Sequence, residues 1–150
     1  MFRKPTLTAV VTLTLVTAAP FAAAQQPAPP VLDKWQSVVK TETQEALVNT
    51  ASIVVVGAQL EARVKQNFAQ PQPSPKKDKT FLSSRTTFRI DCPQRKMAMK
   101  EVRTWAGSDM QGDAVSKATS KDKYLQWADA APGTVYGEVL DYVCKATPAG

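Results

Sequence analysis

Cys92 and Cys144 are the only two thiols in a chain of 150 residues that contains no histidine. Such a pair can close a disulfide, hold a metal or supply a catalytic nucleophile. A metal site needs companions, and the chain offers neither a C-x-x-C spacing nor an imidazole. A catalytic thiol needs a base beside it. Without histidine, Cys-His and Ser-His-Asp arrangements and any imidazole general base are excluded. Asp129, Glu138 and Asp141 remain as carboxylates, but nothing in their spacing points to acid–base work. There is no G-x-x-x-x-G-K-[ST] and no G-x-G-x-x-G, and glycines number six. The residues therefore argue for no enzyme, no metal and no cofactor, and they favour a structural disulfide.

The N-terminus supports an oxidising compartment. Phe2-Arg3-Lys4 is a short positive segment, and TLTAVVTLTLVTAAPFAAA follows without a charge. Ala22-Ala23-Ala24 gives an A-x-A cleavage pattern before the polar Gln25-Gln26. That layout predicts a secretory signal peptide over residues 1–24. The competing reading is a transmembrane anchor, but the segment is Thr-rich and broken by Pro20, and a span needs ~20 mostly apolar residues. No cysteine near the cut could accept a lipid. The expected product is exported, periplasmic or at the cell surface or secreted, and no later segment is apolar enough to span a bilayer. Residues 25–30 read as a Pro/Gln-rich linker, 31–146 as a single domain and 147–150 as a tail. In an oxidising space the one possible pairing is Cys92 with Cys144. Closing that loop of about fifty residues would remove ~4 kcal/mol of unfolded-chain entropy.

The elements that would position these residues are mostly strands. Trp35–Lys40 and Glu45–Val48 read as short strands, and Ile53–Val56 as a third, ended by Gly57. Gln59–Phe68 alternates Leu60, Ala62 and Val64 with Glu61, Arg63 and Lys65, which suits a half-buried strand, with a helix as the alternative. Gln70–Thr80, with three prolines and three lysines, reads as a loop. In the strand before Pro93, Phe88, Ile90 and Cys92 should face the core, with Arg85, Thr87, Arg89 and Asp91 on the other side. Lys96–Trp105 runs back with mixed parity, which a bulge or a two-sided strand would reconcile. Gly107–Gly112 is a turn, and Asp113–Ala118 a short edge strand. Near the C-terminus the period changes. Thr134 is an N-cap after Pro132-Gly133, and Val135, Val139 and Val143, flanked by Tyr136 and Leu140, make the apolar face of an amphipathic helix. Cys144 ends that helix and can clamp it to the strand terminus at Cys92. The fold class is α+β: a mainly antiparallel sheet packed against a C-terminal helix, with one disulfide.

With these elements the chain resembles the surface-adhesin protein E-like domain family of Gram-negative bacteria. The likeness starts at Trp35 and Ala51-Ser52-Ile53, sharpens at SSRTTFRIDCPQRKM, runs through EVRTWAGSDMQGDAV and ends at WADAAPGTVYGEVLDYVC. The resemblance implies the same sheet-and-helix fold and internal disulfide, non-enzymatic binding of host matrix or plasma proteins, and a capacity to form homodimers. This signal peptide departs from the family's type member, which resembles a lipoprotein, in having no lipid-accepting cysteine.

Charge adds an independent lead. Without Arg3 and Lys4 the chain keeps 17 basic residues against 13 acidic, a net of +4. Nine basic residues between Ser74 and Arg103 face only Asp78, Asp91 and Glu101, a local +6. Lys76, Lys77, Lys79, Arg85, Arg89, Lys96 and Lys100 form the candidate anionic-ligand patch, with the arginines expected to face solvent beside the last two lysines. Such a surface attracts sulfated polysaccharide, acidic protein segments or anionic head groups. The plainer alternative is a solvated strand face. Nucleic acid is not expected, since export removes it and base-stacking aromatics are sparse. Trp35, Trp105 and Trp127 read as sheet-packing residues or as interface hot spots, with Trp127 expected against the helix. Two functions follow: an exported, adhesin-like binding protein, or a periplasmic structural or inhibitor protein of the envelope.

Overall fold

The computed structural model describes residues 33–146. The expected signal peptide, the linker at 25–30 and the tail at 147–150 lie outside the described residues. Among those described, seven strands form one antiparallel sheet. Strands β1 (Trp35–Lys40), β2 (Gln44–Val56), β3 (Gln59–Pro73), β4 (Thr80–Asp91), β5 (Lys96–Trp105) and β6 (Ala114–Thr119) follow one another in space as in sequence. The short β7 (Trp127–Asp129) pairs with Lys96–Ala98 of β5, while β6 pairs with Glu101–Trp105, so the two share one edge of β5. The α+β class, the C-terminal helix and the Cys92–Cys144 disulfide are all present.

Helix α1 (Val135–Lys145) begins as its sequence dictates. The Thr134 side chain accepts a hydrogen bond from the Gly137 N–H at 3.0 Å, filling one of the donors left open in a first turn. One side of the helix meets the inner face of the sheet. Val48, Ile53, Val64 and Ile90 from the strands and Val139, Leu140 and Val143 from the helix are each no more than 1% exposed. Burying each of these aliphatic side chains contributes roughly 1.5–3 kcal/mol, which is what holds the helix down.

Three local expectations are corrected. The two short strands at Glu45–Val48 and Ile53–Val56 are one continuous β2, with a register shift between Asn49 and Val54. Side chains bridge the irregularity: the Ser52 hydroxyl donates to the Asn49 carbonyl at 2.7 Å and accepts from the Arg63 N–H at 2.9 Å. The loop at Gln70–Thr80 shrinks to 74–79, because β3 continues to Pro73 opposite Thr80. Pairing of β3 with β2 stops at Phe68, so Pro71 and Pro73 sit where one side of the strand has no ladder to serve. Trp127 is not against the helix; it stands on β7 opposite Ala98, on the other face.

The mixed parity of β5 is a bulge. Thr87 pairs with Glu101 and Phe88 with Met99, leaving Lys100 as the extra residue. The bulge turns Lys100 onto the face carrying Glu61, and puts Val102 on the side of Met97 and Met99, with Trp105 opposite.

Candidate binding face

The sheet has an inner face, partly covered by α1, and an outer face built from the charged residues of β3 to β6. Strand register fixes which outer residues stand side by side, because directly paired residues of an antiparallel ladder project to the same side. Two zones of different electrical character result.

The first zone is internally neutral. Arg89 lies between Glu61 on β3 and Ala98 on β5. Its guanidinium donates to Glu61 at 3.2 Å and to Asp122 at 3.1 Å, and Lys100 donates to the same Glu61 oxygen at 2.9 Å. Two cations thus meet two carboxylates. The Arg89 side chain is only 7% exposed. Its expected solvent-facing position is therefore corrected: the parity is right, but Glu61 and the turn at Asp122 close over it. Lys96 is likewise flanked, by Asp91 on β4 and Asp129 on β7.

The second zone is positive. Lys65 on β3 pairs directly with Arg85 on β4, Arg85 with Arg103 on β5, and Arg103 with Lys117 on β6. Four cations thus form one row across four strands. Lys65 is buried, bonded to Asp109 and held over the Trp35 ring at 5.0 Å from its centroid. Glu101 meets Arg85 at 3.9 Å and Lys117 at 3.8 Å. Arg103 is exposed and has no ion pair among the described residues. The Trp105 ring lies beside both guanidiniums, with Arg85 at 5.8 Å and Arg103 at 5.7 Å from its centroid. Cation–π attraction there favours keeping both close to the ring.

The seven candidate patch residues do not meet in one place. Lys76, Lys77 and Lys79 are exposed on the tip between β3 and β4. Lys96 lies at the opposite end of β4, roughly 35 Å away at ~3.3 Å per strand residue. Arg85 belongs to the positive row, and Arg89 and Lys100 to the neutral zone. The row members Lys65, Arg103 and Lys117 were not among the sequence candidates. Their only sequence signal was alternation along each strand, which does not reveal what stands across the ladder.

On the inner face, Phe88, Met97, Met99, Ala128 and Tyr136 line an apolar cleft of about 270 Å³ beside the start of α1. The Tyr136 hydroxyl reaches Gln66 at 3.4 Å. Burial pushes the Tyr136 phenol up, and that hydrogen bond opposes the shift. Among the described residues there is no group of three His, Cys, Asp or Glu that could hold a metal, and no helix long and apolar enough to cross a membrane.

No curated protein sequence matches the chain. Solved structures of Haemophilus influenzae protein E do match by fold. Crystal form II is 16% identical, with a TM-score of 0.53 over 81% of this chain and 96% of that one. A second structure of the same protein is 16% identical, with a TM-score of 0.51 over 78% and 89%. At that identity the likeness speaks for the fold alone. The sequence profile of the surface-adhesin protein E family, however, matches residues 35–145, from the first residue of β1 to the last of α1. With a match over most of its length, the chain belongs to the surface-adhesin protein E family.

Proposed function

We propose that the chain is an exported, non-enzymatic binding protein that acts at the cell surface. Residues 1–24 direct its export, and the domain at 31–146 binds acidic host or matrix components. Membership of an adhesin family is the observation that carries this reading. The outer sheet face supports it, since the helix leaves that face free and it presents Arg85, Arg103 and Lys117 with little acidic compensation. Lys76, Lys77 and Lys79 extend the positive field from the β3–β4 tip and help to draw in acidic partners.

Localisation tests the reading first. Protein on intact cells should be open to added protease. Release only by osmotic shock would instead favour a periplasmic structural or inhibitor protein. Binding is tested next on immobilised heparin and on matrix or plasma proteins, with elution by salt. Replacing Lys76, Lys77 and Lys79 by Glu should lower the salt needed for elution; unchanged retention removes the loop from the site.

A further inference from the structure

We propose that the row Arg85–Arg103–Lys117 is a binding site for a linear sulfated polysaccharide lying across the strands, an inference that rests on the surface-binding reading above. Like charges directly opposite on neighbouring strands destabilise a sheet. This sheet places three such pairs in succession, Lys65 with Arg85, Arg85 with Arg103 and Arg103 with Lys117. The fold quiets only the first cation, burying Lys65 against Asp109 and Trp35. Of the other three, Arg85 and Lys117 share the single carboxylate of Glu101 while Arg103 has no ion pair among the described residues, so the three keep a net charge of +2. An anion laid along the row would relieve the repulsion that the fold leaves standing.

The geometry points to the kind of anion. Adjacent strands are ~4.8 Å apart, so the three reachable cations form a line of about 10 Å perpendicular to the strands. A peptide recognised by sheet augmentation would instead run parallel to the strands along an edge. A membrane would need exposed apolar side chains beside the cations, yet Val54 and Trp127 on the outer face pair with Glu61 and Ala98 in the neutral zone, and Met99 and Tyr136 line the cleft on the inner face. Two arginines beside Trp105 present flat forks suited to the paired oxygens of sulfate. The row therefore fits a chain of sulfated sugars spanning strands β4 to β6.

The test compares heparin, desulfated heparin and polyglutamate as probes of the full exported protein. The single variant Arg103→Glu converts two like-charge contacts, with Arg85 and with Lys117, into opposite-charge ones. It should weaken heparin binding by about tenfold or more at low salt. Its thermal midpoint should stay unchanged or rise, the reverse of what removing a structural ion pair does. The neutral variant Arg103→Gln/Lys117→Gln replaces it if charge reversal prevents folding. Desulfated heparin should not bind. Heparin binding unchanged in the folded variant overturns the site. Polyglutamate bound as well as heparin overturns the polysaccharide in favour of an acidic protein. Protein that is surface-exposed and binds matrix proteins but not heparin overturns this inference while leaving the broader reading intact; protein confined to the periplasm removes that reading itself.

Discussion

Arg95 grips Asp141 through both carboxylate oxygens, three residues beyond Cys92 on one segment and three before Cys144 on the other. Arg95 takes a left-handed backbone conformation, φ 51°, rare for a residue with a side chain. Its guanidinium also donates to the Ala130 carbonyl. An ionic clasp therefore runs beside the covalent one, and both tie α1 to the turn after β4. The hydrogen bond from Arg95 holds the Asp141 carboxyl below its usual range, with burial opposing the shift. A lowered folded-state value means that the clasp contributes fully above the ordinary carboxylate range and is lost as pH falls through the lowered value. Asp141→Asn should reduce the thermal midpoint by a few degrees at neutral pH. The gap between variant and wild type should close as pH drops below about 4. A gap constant with pH would show that the clasp does not operate through ionised Asp141.

The disulfide spans 52 residues and encloses β5, β6, β7 and most of α1. Loop-closure entropy puts its contribution at ~4 kcal/mol, large against the ~5–15 kcal/mol of a typical domain. Cys92→Ser/Cys144→Ser should lower the urea midpoint accordingly, and reductant should do the same to wild type but nothing further to the variant. Mass spectrometry of exported protein should find neither thiol free. Equal urea midpoints with and without reductant would remove the bridge as a source of stability.

Much of this fold was legible because it depends on local signals. The Thr134 cap, the valine stripe of α1 and the alternation of Phe88 and Ile90 each lie within one element. The cysteine pairing had only one solution. The outer face was harder, because its character is set across the ladder. Arg89 has the parity of a solvent-facing residue, yet Glu61 lies 28 positions away and Asp122 33 positions away. Neither contact leaves a trace in the alternation of β4. The same holds for Arg103 and Lys117, which become neighbours only through the register of β5 with β6. Pro73 misled for a physical reason: proline breaks a ladder only where its N–H is needed.

The neutral zone yields a stability prediction separate from binding. Glu61→Gln removes the charge shared by Arg89 and Lys100, leaving Arg89 to Asp122, whose side chain is 60% exposed. A buried cation with a weakened partner should cost about 1–3 kcal/mol in denaturant unfolding. Heparin retention should not fall, since a negative charge has been removed from the same face. Lost retention with unchanged stability would mean that Glu61 organises the binding surface rather than the fold.

Gly137 offers a test in which the usual helix rule reverses. Alanine ordinarily replaces glycine inside a helix with a gain of about 1 kcal/mol. Here a Cβ at position 137 would lie 2.0 Å from the backbone oxygen of Ala131. That oxygen also accepts from the Thr134 hydroxyl, and the Gly137 N–H donates back to Thr134. The chain entering α1 is thus folded tightly against the first turn, and neither partner can withdraw without breaking the cap. Gly137→Ala should therefore destabilise by about 1–3 kcal/mol, the range for overfilling a packed site. The change should appear in the denaturant midpoint, with the disulfide still formed. A more stable alanine variant would show that the entry to α1 can open at little cost, and that the disulfide and the valine stripe alone keep the helix on the sheet.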